Sequence, residues 1–412
     1  MSTDQTTDLP PRLGLRRAGL DPAPEVTALR DARGTCPVTT LVGHRATLVA
    51  GFDEARTVHG DPAFGFEGLP LPPGGLDADE MARRRAGMLL ALDPPDHTRL
   101  RRMLTGRFTV RAMKALEPRV VAIVDEALER MAAGGAPADL VADFALPVPS
   151  LVICELLGVP YADRDGFQER AELTLRSDLT VEQRTRVFGE SREYMASLVA
   201  RARREPGDDL LGMLVAEHGD RSAAEGGIDD AELVGLANLL LVAGHETTSN
   251  VIALGTYELL RDPDQMAAMR AALDDDAALS RAVEEMLRHV SPVSAGFPRV
   301  AGRDVEVGPH EVPAGTVVTA SLCAANRDPA LGEGLDHLDV RREPVPHVAF
   351  GYGIHHCLGA PLARIELRIA FAALLRRFPD LALAVDPDDV GFRHENLIHG
   401  LEALPVMWAT PR

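Results

Sequence analysis

The stretch "HVAFGYGIHHCLGAPLARIELRIAFAALLRRF", His347 to Phe378, decides how this chain is read. His347, His355, His356 and Cys357 sit in or beside a short loop with Gly351, Gly353 and Gly359. A long run with apolar residues at helical spacing follows. Upstream, "DDAELVGLANLLLVAGHETTSNVIALGTYELLRDP" predicts a very long helix, apolar almost all round, of the kind buried through a large protein. "VRAMKALEPRVVAIVDEALERMAAG" and "DAALSRAVEEMLRHV" predict further helices, and "DLVADFALPVPSLVICELLGVP" predicts an apolar one bounded by prolines. "HRATLVAGFDEARTVHGDP" predicts a short strand and then a helix. "FPRVAGRDVEVGPHEVPAGTVVTASLCAANRDP" alternates like strands joined by Gly/Pro turns. "FRHENLIHGLEALPVMW" could close a small sheet. "GFEGLPLPPGGLDADEM" predicts a loop, and "DRDGFQERAELTLRSDLTVEQRTRVFGESREYMASLVARARRE" predicts two surface helices. No linker divides the chain, so residues 1–412 are expected to form a single domain, mostly α with a small β portion. Residues 1–35, rich in proline, are expected to be irregular.

Composition narrows the function classes. With 412 residues, 46% of them hydrophobic, the chain can bury a large core. Its net charge of −19 argues against nucleic acid and against anionic membranes, both of which select a positive surface. Cys36, Cys154, Cys323 and Cys357 are scattered with no paired spacing, unlike a disulfide framework. No leader-like or membrane-spanning apolar run is visible, so a soluble cytoplasmic protein is expected.

Four readings compete for Cys357. A zinc site would draw on His347, His355 and His356, but adjacent His355 and His356 point apart and no second Cys/His cluster completes a tetrahedron. A thiol nucleophile needs a base partner, and sequence leaves that reading open. A plain core cysteine would not need three glycines around it. A haem thiolate uses all of these parts. Gly351 and Gly353 let the backbone approach a flat cofactor. Cys357 lies where the loop turns into a helix, and the unpaired N–H groups there stabilise a thiolate. Gly359 allows close contact just after it, Pro361 falls in the first turn, and Phe350 can shield the sulfur.

"FGYGIHHCLG" resembles the haem-thiolate loop of the cytochrome P-450 superfamily at Phe350, Gly351, Gly353, His355, Cys357 and Gly359. The likeness runs from about Thr47 to the C-terminus and is closest to soluble actinomycete-type members. It implies the cytochrome P-450 fold, with a long central helix over haem b (iron protoporphyrin IX) and Cys357 as the axial ligand. In "AGHETTS" the resemblance makes Glu246 the acid and Thr247 the alcohol that deliver protons to bound dioxygen. Burying Glu246 in an apolar helix is costly unless it is used or paired, and Thr247 can bond back to a carbonyl. In "EEMLR" the resemblance turns Glu285 and Arg288 from a surface ion pair into the family's buried Glu-x-x-Arg pair. His337 stands where the third member of that network, often an arginine, is expected.

His97, Arg101, Arg299 and His355 match positions that bind the two haem propionates, with Phe350 and Gly351 also against the cofactor. By family geometry Leu90, Leu239, Ala243, Val293 and Ile398 line a pocket for a hydrophobic substrate. Residues around "GLPLPPGGLDADEM" and after "GVPYADRDGF" would form its entrance.

The implied enzyme is a monooxygenase that hydroxylates or epoxidises a hydrophobic small molecule, with a polyketide or macrolide secondary metabolite as the leading class. A steroid, terpenoid or carrier-bound peptide is the alternative, and a non-catalytic haem sensor the rival. No flavin or nicotinamide fingerprint is visible, so electrons are expected from a ferredoxin and an NAD(P)H-dependent ferredoxin reductase. Arg99, Arg102, Arg107, Arg111, Arg364 and Arg368 could form a basic patch for that acidic donor. A monomer is expected.

Overall fold

The computed structural model describes residues 12–40, 43–70, 85–164, 166, 181–393 and 398–409. Two compact units emerge, each gathered from three separate stretches of chain. The first takes Met1–Leu76, Leu254–Cys357 and Pro387–Glu402; the second takes Asp77–Ala253, Leu358–Asp386 and Ala403–Arg412.

The first unit is organised by a five-stranded sheet. Its order is Cys36–Thr39, Arg45–Val49, Val317–Ala320, Arg299–Ala301, Phe64–Gly65. Only the pair Arg45–Val49 and Val317–Ala320 is parallel. The strands are rich in valine, whose branched side chain suits a pleated surface. The helix Phe52–Gly60 lays Phe52, Ala55 and Val58 on one face of the sheet, against Val49, Phe64, Ala301 and Val318. The alternating segment forms the strands Arg299–Ala301, Val305–Val307, His310–Val312 and Val317–Ala320, as the period of two requires.

Residues 1–35 are not wholly irregular. Arg17–Ala18 pairs with Asp21–Pro22 around Gly19, which takes the left-handed φ of +61°. Pro24 then opens a helix, Pro24–Asp31. Proline at the first helical position forfeits an N–H that has no partner there, so Pro24 serves as a start signal. Glu25 lies in the first turn and Arg30 in the last, each complementing the helix dipole.

The second unit is helical. Val110–Gly134 is capped by Thr109, whose hydroxyl accepts from the Ala112 N–H. It packs against Ala360–Arg377 and Pro147–Leu157. A small sheet of Ala138–Asp139, Pro405–Met407 and Ala382–Leu383 adjoins them, so "PVM" closes a sheet as its pattern suggested. Of the two surface helices, Val181–Arg204 is formed; the first lies largely outside the described residues. Most of the "GLPLPPGGLDADEM" segment lies outside them too. The long helix spans Asp230–Arg261 without a break. Among the described residues, no helix is long and apolar enough to cross a membrane.

Candidate active site

The cysteine loop of the first unit is closed by its own backbone. Gly351 N–H donates to Val348 O (2.9 Å), His356 N–H to Gly353 O (3.0 Å) and Cys357 N–H to Phe350 O (2.8 Å). These turns need the left-handed region at Gly351 (φ +70°) and Gly353 (φ +72°). Gly353 has a second constraint, because a Cβ there would lie 2.4 Å from the His59 carbonyl oxygen. Cys357 is half-buried and in no disulfide. Two residues on, Gly359 caps the helix Ala360–Arg377, with Pro361 in its first turn as expected.

The helix Asp276–Val290 anchors this loop. His347 Nδ1 accepts from the Ala349 N–H (3.3 Å), leaving Nε2 to donate to Glu284 (3.1 Å). The Asn326 side chain donates to Ser291 Oγ (2.6 Å) and accepts from the Val348 N–H (2.6 Å). Glu285 and Arg288 on the same helix form a fork. Arg288 Nε and Nη2 donate to the two carboxylate oxygens at 2.7 and 2.8 Å, and Nη1 reaches the carbonyls of Asn326 and Leu335 (both 2.8 Å). Both side chains are almost fully buried, so a bare charge at either would be costly.

The third member of the network is Arg342. Its Nε donates to Glu285 Oε1 (3.1 Å). His337 is exposed and lends only its carbonyl, to Arg288 and Arg342 (both 3.4 Å). The expectation for His337 is therefore corrected. Only arginine carries a planar fork of donors that reaches a carboxylate and two carbonyls at once.

Arg299 and His355 also meet in this unit, through a residue the sequence reading passed over. The Arg299 guanidinium carbon lies 3.7 Å from the ring centre of Phe66, and the His355 ring stands at 87° to Phe66 with centroids 5.4 Å apart. Phe66 lies inside the Gly/Pro segment read as a loop, where nothing in the local pattern marks it. His59 lies beside them. Desolvation, partly offset by its bond to Ala55 O and reinforced by the Arg299 charge, lowers its pKa to about 4. Val293 and Ile398, two expected pocket residues, are paired by an isolated antiparallel bridge.

In the second unit, the helix Asp96–Thr105 carries His97, 2% exposed, and Arg101 one turn later. Arg99 on that helix is taken up by Glu232 and by Gly227 O (2.8 Å), and Arg107 by Glu217. Arg99 and Arg107, both expected in a basic patch, are thus already neutralised. Arg102 and Arg111 are exposed, Arg364 and Arg368 half-buried.

The motif Ala243–Ser249 does not interrupt the long helix. It loads it with side-chain bonds to backbone carbonyls instead. Thr247 Oγ1 donates to Ala243 O (2.7 Å), Ser249 Oγ to His245 O (2.8 Å) and Asn250 Nδ2 to Glu246 O (2.8 Å). Such back-bonding competes with the helical ladder and bends helices. Glu246 is 7% exposed. Gly244 lets Ile153 approach, and a Cβ there would sit 2.4 Å from its Cδ1. Further back, Gly235 faces the Ala86 carbonyl and Gly87 faces that of Glu232. The segment leading into Leu90 is thereby pressed on the turn that precedes Leu239 and Ala243. Those three apolar side chains, like Val293 and Ile398, are half-buried.

Among the described residues, no three or more His, Cys, Asp or Glu side chains cluster to hold a metal ion. A half-buried thiol just before the helix Ala360–Arg377, beside the left-handed turns at Gly351 and Gly353, suits a metal carried in a flat ring. The residues present therefore fit haem.

Comparison with known proteins agrees. The model of the family described as cytochrome P-450 matches residues 181–389. Cytochrome P-450 FAS1 of Rhodococcoides fascians is 44% identical over 98% of this chain and 99% of its own length. Cytochrome P-450 monooxygenase PikC of Streptomyces venezuelae is 41% identical over 99% of this chain and 97% of its own. The crystal structure of CYP105P1 in complex with filipin I superimposes with a TM-score of 0.88 at 38% identity, covering 98% of this chain and all of that one. A fold, a cysteine loop and full-length relatives of one kind converge, and the chain belongs to the cytochrome P-450 family.

Proposed function

We propose that this cytochrome P-450 monooxygenase tailors a hydrophobic secondary metabolite of polyketide or macrolide type, using haem b held by Cys357. The observation that carries the reading is the cysteine loop. A single half-buried thiol is fixed by its N–H bond to Phe350 O, between glycines that let a flat ligand approach. When bound, the haem supplies reductive activation of O2 and insertion of one oxygen atom into a C–H or C=C bond.

The protein's own residues set the conditions. Cys357 would hold the haem iron through its thiolate. By the resemblance, His97, Arg101, Arg299 and His355 would neutralise the two propionates, and Phe350 and Gly351 would contact the haem. Glu246 holds an exchangeable proton at its carboxyl group, and Thr247 keeps its hydroxyl on the Ala243 carbonyl, ready to pass that proton on. Leu90, Leu239, Ala243, Val293 and Ile398 offer small to medium apolar surface, which suits a hydrophobic substrate. The filipin I bound by CYP105P1 supports the substrate class. Electrons come from a separate ferredoxin, reduced by an NAD(P)H-dependent reductase, that docks on the arginine-bearing surface around Arg102 and Arg111, with Arg364 and Arg368 on the helix after Cys357. The protein works as a monomer in the cytoplasm, its 412 residues acting as one catalytic domain.

The test is optical. The purified protein is titrated with macrolactones, steroids, terpenes and peptides, free or carrier-bound. A low-spin to high-spin shift with the macrolactones alone is expected. A shift with another class alone would replace the proposed substrate. Cys357→Ser should abolish the thiolate band of the reduced carbon monoxide complex, and Thr247→Ala should divert reducing equivalents to hydrogen peroxide. A fully coupled Thr247→Ala enzyme would remove Thr247 from the proton path.

A further inference from the structure

We infer that Phe66 is a positioning residue that pre-arranges the side chains of Arg299 and His355 as one pair of hydrogen-bond donors for a haem propionate; this rests on the haem reading above. The sheet explains why Phe66 is there. Phe64 pairs with Ala301 and Gly65 with Val300, so the next step of the register sets Phe66 opposite Arg299. Cross-strand neighbours lie close enough for large side chains to touch. The Arg299 guanidinium lies 3.7 Å above the Phe66 ring centre, with Phe66 4% exposed and Arg299 3% exposed. Desolvation of this kind strengthens the attraction between a cation and the face of an aromatic ring.

Stacking itself takes up no hydrogen-bond donor. The five N–H donors of a guanidinium lie in its plane, so a ring beneath that plane restrains the group without consuming a donor. The same ring holds His355 at 87° and 5.4 Å. Arg299 and His355 are 56 positions apart in the chain, and one apolar ring from a third segment orders both. A side chain already held by packing loses less freedom when a carboxylate binds it.

The experiment measures the rate at which haem leaves the holoenzyme for excess apomyoglobin. The proteins compared are wild type, Phe66→Leu, Phe66→Met, Phe66→Tyr, Arg299→Gln, His355→Ala and the double variant Phe66→Leu/Arg299→Gln. The reduced carbon monoxide band is checked in each, to show that the thiolate end is intact. Haem loss is expected to be about tenfold faster in Phe66→Leu and Phe66→Met, and close to wild type in Phe66→Tyr, which keeps the ring face. The double variant should lose haem more slowly than the product of the two single effects, since Phe66 acts in part through Arg299 and in part through His355. If the Leu and Met variants keep the wild-type rate while Arg299→Gln is accelerated, Phe66 has no positioning role and the haem reading stands. If Arg299→Gln and His355→Ala both keep the wild-type rate, the propionate assignment falls and the inference with it. Full additivity in the double variant would reduce Phe66 to general packing and overturn the proposal.

Discussion

Arg342 and Glu366 show what single residues do that their local sequence does not announce. The buried Glu285 carboxylate takes donors from Arg288, from Arg342 and from the Asp339 N–H (3.1 Å). Removing Arg342 takes a charged hydrogen bond from a carboxylate that water cannot reach. Arg342→Ala should cost about 2 kcal/mol in denaturant unfolding. His337→Ala should stay within about 0.5 kcal/mol, because only the His337 backbone is used. Equal losses in the two variants would contradict the reassignment. Glu366, 2% exposed on Ala360–Arg377, presents a different problem, for its Oε2 has no hydrogen-bond partner. Burial raises its pKa well above the usual carboxylate value, so the folded protein keeps a proton that the unfolded chain releases. The associated stability is present below pH ~4.5 and is lost as pH rises through the folded value. Glu366→Gln mimics the protonated acid. It should melt above wild type at pH 8, with the gap closing toward pH 4.5. Parallel melting curves at both pH values would show that Glu366 does not titrate in this window.

At the scale of elements, the long helix Asp230–Arg261 is where pattern and packing can be compared. Its existence and extent were legible because apolar periodicity over 32 residues has one explanation. The cysteine loop was legible for another reason, since Gly, His and Cys at fixed spacing answer to local chemistry. Arg342 and Phe66 were not legible, because each acts through a partner at least 57 positions away and nothing in its own neighbourhood encodes that meeting. The helix's glycines fall between these cases. Gly244 lacks a side chain, and what it makes room for, Ile153, comes from another helix. Gly235 meets a harder obstacle, because a Cβ there would lie 1.8 Å from the Ala86 carbonyl oxygen, a backbone atom that cannot rotate away. Gly235→Ala should therefore cost more stability than Gly244→Ala, about 3 against 1 kcal/mol, despite the same gain in helix propensity. Adding Ile153→Val should recover part of the loss at Gly244 and none at Gly235. Thermal unfolding of the four variants reads both comparisons, and recovery at Gly235 would show that the obstacle there is not Ala86.

For the whole molecule, the interleaving of the two units in sequence has a consequence for how much chain each needs. The second unit is not the continuous stretch Asp77–Ala253; it also takes Leu358–Asp386 and Ala403–Arg412. The helix Ala360–Arg377 buries Leu367, Ala370, Phe371 and Leu374 completely, and it packs against Val110–Gly134, where Ile123, Val124 and Ala127 are equally buried. Cutting the chain at Ala253 would expose both faces at once. Each large apolar side chain returned to water forfeits ~1.5–3 kcal/mol. Leu367, Phe371, Leu374 and Ile123 together therefore account for ~6–12 kcal/mol, as much as the entire net stability of an ordinary domain. The fragment 77–253 should consequently retain helical signal from its individual segments but unfold without a cooperative transition. Supplying residues 358–412 as a second chain should restore a sigmoidal melt, because it returns both the missing helix and the strands Ala382–Leu383 and Pro405–Met407, which carry the small sheet onto Ala138–Asp139. Circular dichroism melting of the fragment, with and without the second chain, measures this. A cooperative transition in the fragment alone would show that Val110–Gly134 finds its stabilising contacts within Asp77–Ala253, and that the return of the chain after Cys357 is dispensable for this unit.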